Sequence, residues 1–320
     1  MSTWQRTVNL FDNPLIVKDA VSRMRSWRAP VVLTLYLGLL AAFGYSAFLI
    51  EAISQAGNHT GAAQIGARVF SSLTFFQLTL ISLFAPALAA GAVSGERERQ
   101  TFDVLLVSRV TALGIVWGKL VASVAFMLLL ILGALPLFAA VFLFGGIDFE
   151  QFVVTQLLTV STAVTIAAIS VFLSSAFRRT LPSTVAAYGC TFAGLVGTFL
   201  VGSMLSILIA ERQVVNDVHP LEFTNPLYAL FVVLDSPNGA AMHLGRLLQL
   251  LFLGPGSPNT AGPNLEPWQG TLLLQLALIV LALFAAVRLV GGYRAGQPRA
   301  RPPEDVESDG VQPLETEEVP

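Results

Sequence analysis

The chain has 320 residues, of which 54% are hydrophobic and only 12% charged, with a formal charge of −2. Soluble domains carry roughly 25% charged residues, so this composition excludes a soluble globular fold and indicates a polytopic membrane protein. The implied surroundings are the lipid bilayer and other proteins, with no nucleic acid, and the lone Cys190 excludes an intrachain disulfide framework.

In chain order, the first predicted element is NPLIVKDAVSRMRSWR, with Asn13 as N-cap and Pro14 at the first helical position. At helical spacing Ile16, Val17, Ala20, Val21, Met24 and Trp27 share one face, while Lys18, Asp19, Ser22, Arg23 and Arg25 share the other. Such a helix lies along a membrane surface, so 1–29 reads as a cytosolic N-terminus with an amphipathic elbow helix, either bracing the membrane core or serving only as a topology anchor.

Six stretches then run without Asp, Glu, Lys or Arg: Ala29–Ile50, Val69–Gly95, Leu120–Ile147, Gln151–Phe177, Thr180–Ala210 and Pro267–Val287. Each holds the roughly 20 residues a spanning helix needs. The fold class is therefore an all-α polytopic membrane protein, with a six-helix transmembrane domain over 30–293. The first run is too long for a signal-peptide core and reads as an uncleaved anchor.

The connection Glu51–Arg68 is short and Gly145–Glu150 is a tight turn, so the first four spans pair as two hairpins. Between Glu211 and Glu266 the apolar runs Pro226–Leu234 and Ala240–Leu253 are too short to span. They predict short external re-entrant helices before span 6. Residues 294–320 form an acidic cytosolic tail, expected to be disordered, with seven acids between Glu304 and Glu318.

Orientation follows from the basic residues. The N-terminal segment, the second and fourth connections and the tail hold 15 of the 18 Lys and Arg, leaving Arg68, Arg212 and Arg246 on the other side. Both termini are thus expected in the cytoplasm, and the protein in the plasma (inner) membrane.

The motif search is informative chiefly by exclusion. In GIVWGKL, three residues separate Gly114 from Gly118 and Leu120 stands where a phosphate loop needs a hydroxyl, so Lys119 reads as an interfacial lysine ending the third span. GAVSG, at 91–95, lacks a histidine on its side of the membrane; His59, His219 and His243 fall on the other, without metal-ligand spacing. No catalytic or metal site is expected. No span interior carries an ionised group, which argues against an ion-coupled transporter. Neutral polar residues recur instead: Thr74, Gln77 and Ser82 in span 2; Thr155, Thr159 and Thr162 in span 4; Thr184, Thr191 and Thr198 in span 5. They read either as a substrate path or as interhelical hydrogen bonding.

One block resists a purely structural reading. Glu96, Arg97, Glu98 and Arg99 stand in a row after span 2, where a charge inside hydrocarbon would cost roughly 2.5 to 3.5 kcal/mol. They lie outside the bilayer and precede a segment that Thr101 can cap, with Asp103 in its first turn and Phe102, Leu105 and Leu106 on one face. An exposed apolar stripe among charges calls for a partner groove.

The run GERERQTFDVLLVSRVTALGIVWGKLVAS closely resembles the signature of permease subunits of ATP-binding cassette (ABC) exporters of the second type. The elbow, the six spans and the short external helices resemble that family too. The resemblance implies that the block contains a cytosolic coupling helix, between spans 2 and 3, that docks on a separate ATPase subunit. Carried over, Glu96 and Glu98 match its acidic positions, Thr101, Leu105 and Leu106 its helix, and Gly118-Lys119 its closing Gly-Lys. Gln100 stands where the family often has glycine, and Ser108-Arg109 where it often has proline. Together with Arg97 and Phe102 these residues form the candidate ATPase-coupling site. The resemblance further implies a dimer of permeases, by a second copy or a paralogue, a path flanked by spans 2 and 5, and ATP with magnesium held by the partner alone. The expected function is an exporter permease. An intramembrane enzyme or a non-transporting scaffold subunit are the alternatives.

Overall fold

A computed structural model describes residues 27–54, 61–100, 111–210, 224–235 and 267–295. The elbow helix before Trp27, the segment 101–110, the apolar run Ala240–Leu253 and the acidic tail beyond Ala295 lie outside the described residues.

Backbone amides in hydrocarbon find no water, so an apolar chain crosses a membrane as helices. Those described are α1 (Arg28–Ser54), α2 (Ala62–Ala89), the short α3 (Ser94–Glu98), α4 (Ala112–Phe142), α5 (Phe149–Ala176), α6 (Thr180–Phe192), α7 (Thr198–Ala210), α8 (Pro226–Asp235) and α9 (Pro267–Ala295). A π turn at Ala193–Gly197 joins α6 to α7 into one span. Six helices are long and apolar enough to cross a membrane, and no strand occurs among the described residues.

The helices overrun the charge-free windows. Arg68 lies inside α2, Lys119 inside α4 and Arg288 inside α9. A charge within the first or last turns of a long helix sits at headgroup level or against a partner, so windows drawn to exclude charge are too short. At the start of α4, the Thr111 hydroxyl caps by accepting from the Gly114 N–H at 3.1 Å.

Helix α5 is the centre of the bundle, packed on α9, α2, α6 and α4. About its most apolar stretch 61% is buried, against 11% for the α6–α7 span, which lies on the periphery. The hairpins α1–α2 and α4–α5 form as expected. In the second, Gly145 and Gly146 turn at φ values of 77° and 79°, and a Cβ on Gly146 would stand 2.0 Å from the Ala63 carbonyl oxygen. Only glycine fits both demands. Beside this turn Phe152 meets Phe142 at 5.7 Å and Phe138 at 6.0 Å between ring centroids, an aromatic plug at that end of the bundle.

The first apolar run of the long connection is helical, as α8. Its buried Ala229, Leu230 and Val233 pack against Leu78 of α2, Val154 and Leu158 of α5 and Trp268 of α9.

A candidate coupling site at the foot of the second span

Span 2 breaks after Pro86. Proline removes one ladder hydrogen bond and the helix ends at Ala89, followed by a turn through 90–93 and then α3. A break within the bundle leaves backbone groups that other helices must satisfy. Three serines do so, and each is fully buried: Ser94, Ser174 and Ser183. The Ser174 hydroxyl of α5 accepts from the N–H groups of both Val93 and Ser94, each at 2.9 Å. The Ala90 carbonyl accepts from Ser183 of α6 at 2.7 Å and from Ser94 at 3.1 Å. Tyr188 adds a further tie, donating to the Leu83 carbonyl at 2.9 Å.

The charged block follows directly, and three of its side chains reach three different spans. Glu96 pairs with Lys119 of α4. The Arg97 guanidinium lies 4.9 Å above the Tyr293 ring near the end of α9, a cation–π contact. Glu98 accepts from the Thr180 hydroxyl at 2.7 Å and from the Thr180 N–H at 3.3 Å, capping the first turn of α6. Those two donors hold its carboxyl below the ordinary glutamate range. Arg99 is exposed, and Gln100 follows in the left-handed region at φ 58°. That conformation explains why glycine suits this position in the resembling family, and it costs a residue with a Cβ about 1 kcal/mol.

The structure adds detail at two of these residues. Lys119 is not open to water: it is only 6% exposed and turned to Glu96. A buried ammonium is tolerable only beside a carboxylate, and α3 brings one within reach. Arg97 is half-buried against an aromatic ring. The structure thus brings Lys119 to Glu96, while Arg97 and Glu98 reach α9 and α6, and Thr101, Phe102, Leu105 and Leu106 lie outside the described residues.

Of the expected path residues, Thr74, Gln77 and Ser82 are buried inside the chain's own bundle. Gln77 accepts from Gln156 of α5 at 3.4 Å, and Ser82 donates to the Leu78 carbonyl at 2.7 Å. Thr184, Thr191 and Thr198 sit half-buried on the peripheral span, each donating to a carbonyl one turn earlier. Most of the remaining membrane hydroxyls also bond within their helices; Gln275 of α9 reaches Thr162 of α5 at 2.9 Å.

Sequence reasoning missed Ser174, Ser183, Thr180 and Tyr293. Their signal was faint, since small hydroxyls are common in spans and a tyrosine near a span end reads as an interfacial anchor.

A six-span helical bundle with a charged, helical foot on its second span defines a polytopic helical membrane protein. The model of the ABC-2 family of transporter proteins matches residues 14–294, and the chain belongs to that family. It is accordingly a membrane permease of an ABC transporter, a transmembrane component that in this family is generally not itself catalytic, works with an ABC ATPase and is arranged as a dimer. No curated protein matches the chain.

Proposed function

We propose that this chain is the permease subunit of an ATP-driven exporter in the plasma (inner) membrane, with both termini in the cytoplasm. In this reading a separate ATPase binds ATP and magnesium, and the permease converts its closure into movement of a substrate outward. The observation that carries the reading is the reach of the charged block. Glu96, Arg97 and Glu98 hold α4, α9 and α6 from one five-residue helix, so a push on α3 is delivered to three spans together.

The ATPase contact itself is assigned to the segment that follows, through Phe102, Leu105 and Leu106. Burying a leucine at such a contact contributes on the order of 1.5 to 3 kcal/mol. Leu105→Glu is expected to weaken association with the ATPase by about ten-fold or more, with the spans still inserted. Co-purification of the two subunits measures it, alongside ATP hydrolysis by the complex. Normal insertion with undiminished association would sink the coupling assignment.

A further inference from the structure

At the other end of the molecule, Asn225 makes a set of contacts that capping alone does not require. It is 1% exposed, and its carboxamide oxygen accepts from the Leu227 N–H at 2.7 Å, the bond expected of an N-cap at the start of α8. Its amide nitrogen spends both protons on a different helix: it donates to the Leu195 carbonyl at 2.7 Å and to the Thr198 hydroxyl oxygen at 2.8 Å. Leu195 lies within the π turn and Thr198 is the first residue beyond it.

A π turn inserts one residue into the hydrogen-bond ladder, and here the Thr198 N–H reaches back to Ala193 instead of the α-helical partner. Leu195 packs on the core, but the two glycines of the turn face open space: a Cβ on Gly194 or Gly197 would meet no atom within 4 Å. The Asn225 side chain adds the hydrogen-bonded tie between the turn and α8. Helix α8 is in turn fixed at its far end, where Gln151 of α5 donates to the Val233 carbonyl at 2.9 Å, and its apolar face is packed on α2, α5 and α9.

We propose that Asn225 is a latch: it fastens the π turn of the peripheral span to α8, so that the span bends at Ala193–Gly197 and its far half moves with α8 as one body. Resting on the transporter reading, the latch passes movement of the peripheral span to the end of the bundle where substrate would leave. The tie itself is independent of any ATPase and is measurable on the permease alone.

The test separates latching from capping. Asn225→Asp and Asn225→Ser both retain an oxygen able to cap Leu227, and both lose the paired donors that reach the turn. With Cys190→Ser removing the sole cysteine, spin labels at Met204→Cys on the exposed side of α7 and at Phe231→Cys on the exposed side of α8 report the distance between the far half of the span and α8. The full chain is reconstituted in lipid nanodiscs, diluted with unlabelled protein. The latch predicts one narrow distance in the parent and a second populated distance, or clear widening, in both variants. An unchanged narrow distribution in either correctly inserted variant overturns the latch and leaves Asn225 as a cap. Should Asn225→Asp fail to insert, Asn225→Ser decides the question.

Discussion

At the charged end of the bundle, helices are joined by ionised groups and hydroxyls: Lys119 with Glu96, Arg97 with Tyr293, Glu98 with Thr180, and three serines around a broken helix. At the opposite end the buried ties are neutral, with Asn225 and Gln151 donating to backbone carbonyls at the π turn and at the far end of α8, and the one ion pair described there, Arg68 with Glu51, is largely exposed. The contrast separates two kinds of joint. A buried ion pair is costly to split, because parting the partners leaves a charge in a poor solvent, so it transmits force without yielding. An amide on a carbonyl is worth little net and is readily re-formed elsewhere, so it suits a contact that must be made and remade.

The sharpest way to break this contrast is to split the buried pair. Lys119→Met leaves Glu96 beside an apolar side chain, and Glu96→Ala leaves a cation whose side chain is 7% exposed. Each is expected to destabilise by about 3 to 5 kcal/mol, whereas the double variant Glu96→Gln with Lys119→Met should recover much of the loss, since neither charge then remains. Thermal unfolding of the detergent-solubilised chain measures all three. Equal losses in the single and double variants would mean that the pair contributes packing and not charge compensation.

Next in size is the serine joint. Ser174→Ala removes one acceptor and leaves the Val93 and Ser94 N–H groups without it at the foot of span 2. A loss of about 1 to 3 kcal/mol is expected, with Ser174→Thr far milder because the hydroxyl is kept. The same unfolding assay applies, and faster hydrogen exchange confined to 90–98 would place the damage at the joint. Indifference to Ser174→Ala would show that water takes over the two donors and that the break is not held by α5.

How much of this was readable in advance depends on what each feature rests on. Six spans follow from bilayer thickness and apolar length, which are properties of local sequence, and their number emerged correctly even though Arg68, Lys119 and Arg288 shortened the windows. The tight turn at Gly145-Gly146 was legible because paired glycines between apolar runs have few other uses. The charged block stood out for the same local reason. Its partners did not, since Thr180 and Tyr293 are brought to it only by packing over 82 residues and more of chain. Ser94 drew notice as a near miss for a nucleophile, whereas its actual role, facing Ser174 at 3.2 Å across a helix break, required knowing that the helix ends at Ala89. The π turn had no sequence signal beyond two glycines three residues apart.

The smallest expected effect concerns the ion pair at the neutral end, and it asks whether burial, not charge, makes the difference. Arg68 of α2 meets Glu51 of α1 at 3.2 Å, joining the first hairpin as Lys119 and Glu96 join α4 to α3. Here the arginine side chain is 60% exposed and the glutamate 22%. Water and salt screen such a pair, and holding two long side chains in register costs entropy, so Arg68→Ala should destabilise by only about 0.2 to 1 kcal/mol and by less at high ionic strength. The comparison is made by unfolding Arg68→Ala and Lys119→Met in parallel at low and high salt. A loss at Arg68 as large and as salt-insensitive as that at Lys119 would show that ion pairs hold both ends of the bundle alike, and the division into a rigid and a yielding end would fall.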